Sequence, residues 1–133
     1  MGNGNGMKRH SVLVVDDDAS VRSLYADALE EVGHRVDIAV DGVDALAKLR
    51  DGSHPCVVLT DMRMPRMDGF ELSRATAHDP QLASIPVVVL TGDHILAISS
   101  PARDKPFSAP ELDALVQHSC RFHRASDEGN GSG

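Results

Sequence analysis

Val12-Leu13-Val14-Val15-Asp16-Asp17-Asp18 sets four apolar residues directly against three carboxylates, and Val57-Val58-Leu59-Thr60-Asp61 repeats the pattern. A short valine-rich run bounded by polar residues has the length and composition of a strand buried on both faces. In a parallel sheet all strands end at the same edge. Two such strands would bring Asp16, Asp17 and Asp61 together at the carboxyl edge, where open α/β sheets bind ligands. Carboxylates that close repel, by about 4 kcal/mol for a pair about 4 Å apart at an effective dielectric of about 20. A cation is expected among them, and a ligand set made only of oxygen suits Mg2+.

Outward from these runs the chain alternates strand and helix. Ser11 to Val15 is the first strand. A helix is predicted from about Ser20, with Val21, Leu24, Ala28, Leu29 and Val32 at helical spacing and Gly33 at the position past a helix end that favours glycine. Val36 to Val40 reads as a second strand, and Asp41-Gly42 turns the chain. Val43 to Arg50 reads as a helix with Val43, Leu46, Ala47 and Leu49 apolar, closed by Gly52. Cys56 to Thr60 is the third strand, Phe70 to His78 the third helix and Pro86 to Thr91 the fourth strand. A last helix starts near Ser108, where Ser108 and Glu111 have capping-box spacing and Pro110 falls in the first turn. Its Leu112, Leu115, Val116 and either Ser119 or Cys120 face the sheet. The alternation implies an α/β fold, a parallel sheet with helices on both faces.

Gly92 to Asp104 breaks the rhythm. These thirteen residues must hold both a crossover and a fifth strand, whereas a parallel crossover alone takes roughly a dozen or more. The fourth helix is therefore expected to be shortened or missing. Ile95-Leu96-Ala97-Ile98 is the only apolar run there, and Pro101 interrupts the stretch after it, so the fifth strand has no clear location.

A chain of 133 residues, 41% apolar and 25% charged, has the composition of one soluble globular domain. Residues 8–124 are expected to form it, between flexible tails 1–7 and 125–133 of linker-like composition. No run reaches membrane-span length and none resembles a signal peptide, so a cytoplasmic setting without membrane contact is expected. Cys56 and Cys120 make no disulfide framework, and Cys56 is expected to be a reduced core residue. The net charge of −7 argues against direct nucleic-acid binding, which needs a positive stripe. The basic cluster His118 to Arg124 reads as favourable charge near a helix C-terminus. The seven histidines show no metal-ligand spacing. Met62, Met64 and Met67 read as turn and packing residues.

Val12-Leu13-Val14-Val15-Asp16-Asp17, Asp61-Met62-Arg63-Met64-Pro65 with Met67-Asp68-Gly69, Thr91 after an apolar strand, and Lys105-Pro106-Phe107 together resemble the receiver domain of two-component response regulators. The resemblance covers about Lys8 to Arg124. It rests on four pieces in one order, since any single piece is common. It implies the flavodoxin-like doubly wound parallel sheet of five strands, order 2-1-3-4-5. It implies Asp61 as phosphoacceptor. Mg2+ would be held by Asp17 directly, by Asp16 largely through water, by Asp61 and by the backbone carbonyl of Arg63. Thr91 and Lys105 would bind the phosphoryl group, and a cis peptide would precede Pro106. The donor would be a phosphohistidine on a sensor histidine kinase or a histidine phosphotransfer protein. Output would pass to a downstream effector protein through a surface that phosphorylation switches. Such a domain is a signalling device, not an enzyme, beyond its own phosphoryl transfer and slow dephosphorylation.

Each implied role has chemistry behind it and an ordinary structural alternative. A carboxylate can take a phosphoryl group as an acyl phosphate when a metal screens its charge, or it can simply cap a turn. Phosphoryl transfer asks mainly for positioning and neutralisation, which Mg2+, Lys105 and Thr91 would supply. Thr91 could equally be a β-branched strand residue, and Lys105 a solvated lysine. Asp18 reads as favouring the N-terminus of the first helix.

The chain also departs from the family. Ala102 stands three residues before Lys105, where receivers usually have an aromatic. No Gly-Ala pair precedes it, and the Thr91–Lys105 segment is short. The switch face is therefore expected to be altered. Apolar surface left bare by a missing helix would favour self-association, so a homodimer joins the expected states. The short segment also motivates a rival, a phosphorylation-independent pseudo-receiver module. A more distant rival is an aspartate-nucleophile phosphohydrolase: Asp16-Asp17-Asp18-Ala19-Ser20 resembles the Asp-x-Asp-x-Thr pattern of haloacid-dehalogenase-like enzymes. Those enzymes carry a cap and a further acidic motif that this sequence lacks.

Overall fold

In the computed structural model, residues 10–91, 102–104 and 109–127 are described, with side chains over 10–90 and 109–120. The apolar run of β1 (Ser11–Val15) sends Val12 and Val14 to one face of a sheet and Leu13 and Val15 to the other, as a period of two requires. β3 (Val57–Asp61) and β4 (Val87–Thr91) do the same. Burying a Val or Leu side chain contributes about 1.5–3 kcal/mol, so strands apolar on both faces take the centre of the sheet. β2 (Arg35–Ala39) buries only Ala39 and lies at an edge.

Among the described residues, two helices cover each face. α1 (Ala19–Glu31) and α4 (Ala109–Asp127) close the first, where Tyr25, Leu29, Leu112, Val116 and Cys120 meet Val12, Val14, Leu59 and Leu90. α2 (Gly42–Arg50) and α3 (Gly69–Ala77) close the second, around Leu13, Val15, Leu46, Leu49, Val58 and Leu72. All strand pairs are parallel, and the order is β2-β1-β3-β4-β5. This is the doubly wound flavodoxin-like α/β arrangement that the resemblance implies.

β5 is Ala102–Asp104, three residues that come after Pro101 and not at the apolar run Ile95 to Ile98. The helix expected to be shortened or missing falls in 92–101, outside the described residues. So does Ser108, and with it the expected cap of the last helix. α4 runs on through the basic cluster to Asp127, past residue 124, where the tail was expected to begin.

Two helix faces differ from expectation. In α1, Leu24 is 57% exposed and Tyr25 takes its place in the core. One residue turns a helix by about 100°, enough to carry Leu24 off a stripe centred on Tyr25 and Leu29. In α2, Val43 and Ala47 are exposed, and Ala45 joins Leu46 and Leu49 inside. The caps of α1 agree with the sequence more closely. Asp18 caps α1, accepting from the N–H groups of Ser20 and Val21. Gly33 takes φ +106° behind α1, a conformation that costs other residues more. Asp68 and Glu71 form a capping box on α3.

Asp41 ties α2 to the loop that leads into α3. Its buried carboxylate caps α2 by accepting the Asp44 N–H at 2.9 Å. It also pairs with Arg66, whose Nη2 lies 2.7 Å away. Arg66 sits at φ +71°, which is unusual outside glycine, and the pair helps hold it there. Burial alone would raise the Asp41 pKa above its ordinary 3.8. The Asp44 N–H, the Arg66 hydrogen bond and charge, and the Val43 N–H outweigh burial and hold it below. A lowered folded-state pKa means stabilisation that is complete above the unfolded value and lost as pH falls through the lower folded one. Asp41→Asn is therefore expected to flatten the stability curve below about pH 4. Asp41→Ala is expected to cost about 1–2 kcal/mol at neutral pH through the lost cap. Urea melts across pH check both; an Asp41→Asn curve parallel to wild type in acid would refute the assignment.

Candidate functional site: an acidic cluster at the carboxyl edge

Sheet register builds the site. Val15 and Thr60 share a rung of the β1–β3 pair, so Asp16 and Asp61 leave the sheet side by side. Asp16, Asp17 and Asp61 each offer a carboxylate oxygen, and these atoms all lie within 4.8 Å of one another. The expected convergence of the three carboxylates is what the structure contains.

The three are held differently. Asp16 is 3% exposed. Its Oδ1 accepts the Asp18 N–H at 2.9 Å, its own N–H donates to the Ala39 carbonyl at 3.2 Å, and its carbonyl accepts Arg22 Nη1 at 2.9 Å. Asp17 is exposed and Asp61 half-buried. Asp61 Oδ1 accepts the Met62 N–H at 2.9 Å, and the Thr60 hydroxyl donates to the Asp61 carbonyl at 3.0 Å. The backbone after Asp61 is pinned by α3, whose Gly69 N–H donates to the Met62 carbonyl at 2.8 Å. A Cβ at Gly69 would fall on the carbonyl oxygen of Asp61. Only glycine admits this approach without a shift of backbone.

The loop between β3 and α3 is tied at several points. Arg66 pairs with Asp41, the Met67 N–H donates to the Pro65 carbonyl at 2.7 Å, and Met64 and Met67 pack on the second-face core. Gly42 is pressed against Met67, whose carbonyl oxygen and Cγ would each lie 2.7 Å from a Cβ there. Arg63 is exposed in this loop.

The remaining site candidates are less fully seen. Asp61 pairs with Leu90, so Thr91 lies one residue beyond that rung, opposite Asp104 of β5. The side chain of Thr91, together with Lys105, Pro106 and Phe107, lies outside the described residues. Two supporting features have no clear signal in the sequence. Arg22 is simply a basic residue in the first turns of α1, and the Asp41–Arg66 pair joins positions far apart in the chain. Gly69 had one, its place in Met67-Asp68-Gly69.

The donor set can be judged on its own chemistry. Three carboxylates within 4.8 Å repel unless a cation sits between them, and hard oxygen ligands fit Mg2+. The residues present fit that ion.

A family model described as the response regulator receiver domain matches residues 12–117. The chain belongs to the response regulator receiver domain family. Receiver domains are signalling domains, and this one has relatives of several lengths. It is 35% identical to protein PilG of Pseudomonas aeruginosa in an alignment that covers 80% of this chain and 84% of PilG. It is 32% identical over 133 residues to a probable transcriptional regulator, ycf27, of Porphyridium aerugineum, covering 93% of this chain but only 54% of that protein. This receiver thus spans about half the length of that relative. Among solved structures, the chemotaxis response regulator CheY4 of Vibrio cholerae superposes with a TM-score of 0.76 at 30% identity, over 84% of this chain and 99% of that one. No described helix of the receiver is long and apolar enough to cross a membrane.

Proposed function

We propose that this receiver accepts a phosphoryl group on Asp61 from a phosphohistidine, in a Mg2+-dependent reaction, and so switches a partner-binding surface. One observation carries the reading: Asp16, Asp17 and Asp61 bring three carboxylate oxygens within 4.8 Å at the carboxyl edge of the sheet. A carboxylate oxygen of Asp61 forms the new O–P bond as the P–N bond of the donor breaks, and the departing imidazole takes its proton from solvent. Asp16, Asp17, Asp61 and the Arg63 carbonyl would hold Mg2+, which supplies charge screening at the acyl phosphate. Thr91 donates its hydroxyl to a phosphoryl oxygen, and Lys105 meets the group as a point charge. A cis bond before Pro106, as the family resemblance implies, would belong to this reading. Water later hydrolyses the acyl phosphate at the same residues, which makes the domain a switch rather than a turnover enzyme.

The partners of this reading are a sensor histidine kinase or histidine phosphotransfer protein upstream and an effector protein downstream, all in the cytoplasm. The domain would occupy 8–124. Ala102, in place of an aromatic, would leave the outward relay of phosphorylation to other residues of the β4–β5 face, and apolar surface bared by a shortened or missing fourth helix would favour a homodimer.

The test is incubation with acetyl phosphate or a phosphohistidine donor in Mg2+, and then mass-spectrometric mapping. Acid-labile, hydroxylamine-sensitive label on Asp61 is expected. Label on Asp16 would point instead to the hydrolase chemistry, and no label to a pseudo-receiver. Asp17→Ala is expected to weaken Mg2+ at least about 10-fold, since loss of a direct ligand costs no less than loss of an outer-shell partner. An unchanged calorimetric Mg2+ titration would count against Asp17.

A further inference from the structure

A second cluster stands at the opposite end of the sheet. His10 immediately precedes β1 and Cys56 immediately precedes β3. The Cys56 N–H donates to the Ser11 carbonyl at 2.7 Å, which fixes the two strand starts side by side. Cys120 reaches them from α4 on the first face of the sheet. One ligand atom from each of His10, Cys56 and Cys120 lies within 4.8 Å of the other two. His10 and Cys120 are buried and Cys56 is half-buried. No spacing in the sequence suggests this cluster. It exists because parallel register and one helix face bring three distant positions to one place.

The surroundings of His10 are organised as those of a ligand would be. Gln117 donates its amide N–H to Asp113 Oδ1 at 3.3 Å, which turns its Oε1 toward His10 Nε2, also at 3.3 Å. The Gln117 carbonyl oxygen thereby assigns the ring proton of His10 to Nε2. Asp113 Oδ1 also meets His34 Nε2 at 2.7 Å, and His34 Nδ1 accepts the backbone N–H of His10 at 3.2 Å. The two rings stack with centroids 5.7 Å apart. A histidine whose far N–H is donated to a fixed acceptor has its ring orientation set for a metal.

We propose that His10, Cys56 and Cys120 form a second metal site in this receiver, for a thiophilic d10 cation, Zn2+ or Cu+. Thiolate and imidazole ligands select these ions, whereas Mg2+ prefers oxygen. Ligands around a tetrahedral zinc stand roughly 3.3–3.8 Å apart, given Zn–S of about 2.3 Å and Zn–N of about 2.0 Å. The present 4.8 Å limit is therefore closed by side-chain rotation of about an ångström. Binding releases the thiol protons of Cys56 and Cys120 to solvent. The ion would clasp α4 to the starts of β1 and β3. The proposal stands independently of phosphotransfer at Asp61.

The test uses the full chain, reduced and held in excess Mg2+ so that the carboxylate cluster is filled. Titration with Co2+, as a zinc probe, is expected to give one equivalent of thiolate-to-cobalt charge transfer with intense tetrahedral d–d bands. Zn2+ should bleach these bands. A parallel anaerobic arm sets Cu+ against a chromophoric chelator and shows which ion holds the site. Cys56→Ser and His10→Gln should each weaken binding by more than the roughly 10–100-fold that an outer-shell loss costs. Asp17→Ala should leave the bands in place. Circular dichroism of the metal-free variants confirms their fold, and Cys56, being half-buried, is the safer substitution. Binding of neither ion by the reduced chain overturns the proposal. So do bands that survive both Cys56→Ser and His10→Gln, or a Cys56–Cys120 disulfide that persists in reductant and excludes metal.

Discussion

Asp61→Asn is expected to lower phosphate uptake by on the order of 10³-fold or more, the scale on which loss of a nucleophile removes catalysis. The substitution is nearly isosteric. An asparagine Oδ1 still accepts the Met62 N–H that Asp61 Oδ1 takes at 2.9 Å, and the Thr60 hydroxyl contact is to the backbone, so both survive. What disappears is one negative charge from a cluster whose oxygens lie within 4.8 Å. Pairwise repulsion at that separation is about 3–4 kcal/mol at an effective dielectric of about 20. Asp17 is exposed and Asp61 only half-buried, so the relief is discounted to roughly 1 kcal/mol. The variant should therefore melt higher than wild type in metal-free buffer while failing to take up phosphate. Added Mg2+ should narrow or reverse the gap in melting temperature, because wild type gains more from the ion. A merely misfolded variant would lose uptake and melting temperature together. Uptake at the wild-type rate would remove Asp61 from the role of phosphoacceptor.

That prediction leans on the part of the molecule most legible in the sequence. Val12 to Val15, Val57 to Thr60 and Val87 to Leu90 could only be central strands, since each is apolar on both faces. Once they are parallel, Asp16 and Asp61 must emerge at one edge, and a rung-by-rung register, Val15 with Thr60, brings them together. The ends of α1 were legible for the same local reason: Asp18 and Gly33 act within one turn of themselves. The helix faces were less so. Apolar spacing in α1 admits a stripe through Leu24 or one through Tyr25, and only contact with the sheet and α4 selects the second. β5 was illegible because its three residues carry no apolar pattern; pairing with the open edge of β4 makes it a strand. The His10–Cys56–Cys120 cluster was hidden more deeply. Metal-ligand spacing is a local signal, and this cluster depends on strand register and helix packing at once.

The same contrast separates what holds each carboxylate. Asp16 is fixed from its own neighbourhood, by Asp18 and Arg22 in the turn it starts and by Ala39 across the sheet. Asp61 depends on a longer detour. The chain runs out through Met62 to Met67, is anchored by Arg66 on Asp41, and returns so that α3 begins against the carbonyl of Asp61 itself. Disturbing α3 at its first residue should therefore reach the phosphoacceptor, although that residue contributes no chemistry.

Gly69→Ala tests this, and it should lose both stability and function. In open helix, alanine is favoured over glycine by about 1 kcal/mol, so propensity alone predicts a more stable protein. Against that, the new Cβ would fall on the Asp61 carbonyl oxygen and stand 3.2 Å from the Asp61 carbonyl carbon and the Met62 Cα. All three are backbone atoms, which cannot rotate aside as a side-chain tip does. Either β3 or the start of α3 must move, and overpacking of this kind costs about 1–3 kcal/mol, which exceeds the helix gain. Because the obstacle is the backbone of Asp61, a shift of about 1 Å should also slow phosphate uptake about 10²-fold. Gly33→Ala is the control. Its φ of +106° makes alanine strained, but nothing lies within 4 Å of a Cβ there. It should lose roughly 1–2 kcal/mol with uptake unchanged. Thermal melts and acetyl phosphate kinetics on both variants separate the outcomes. A Gly69→Ala protein with wild-type melting temperature and wild-type uptake would show that α3 does not position the phosphoacceptor.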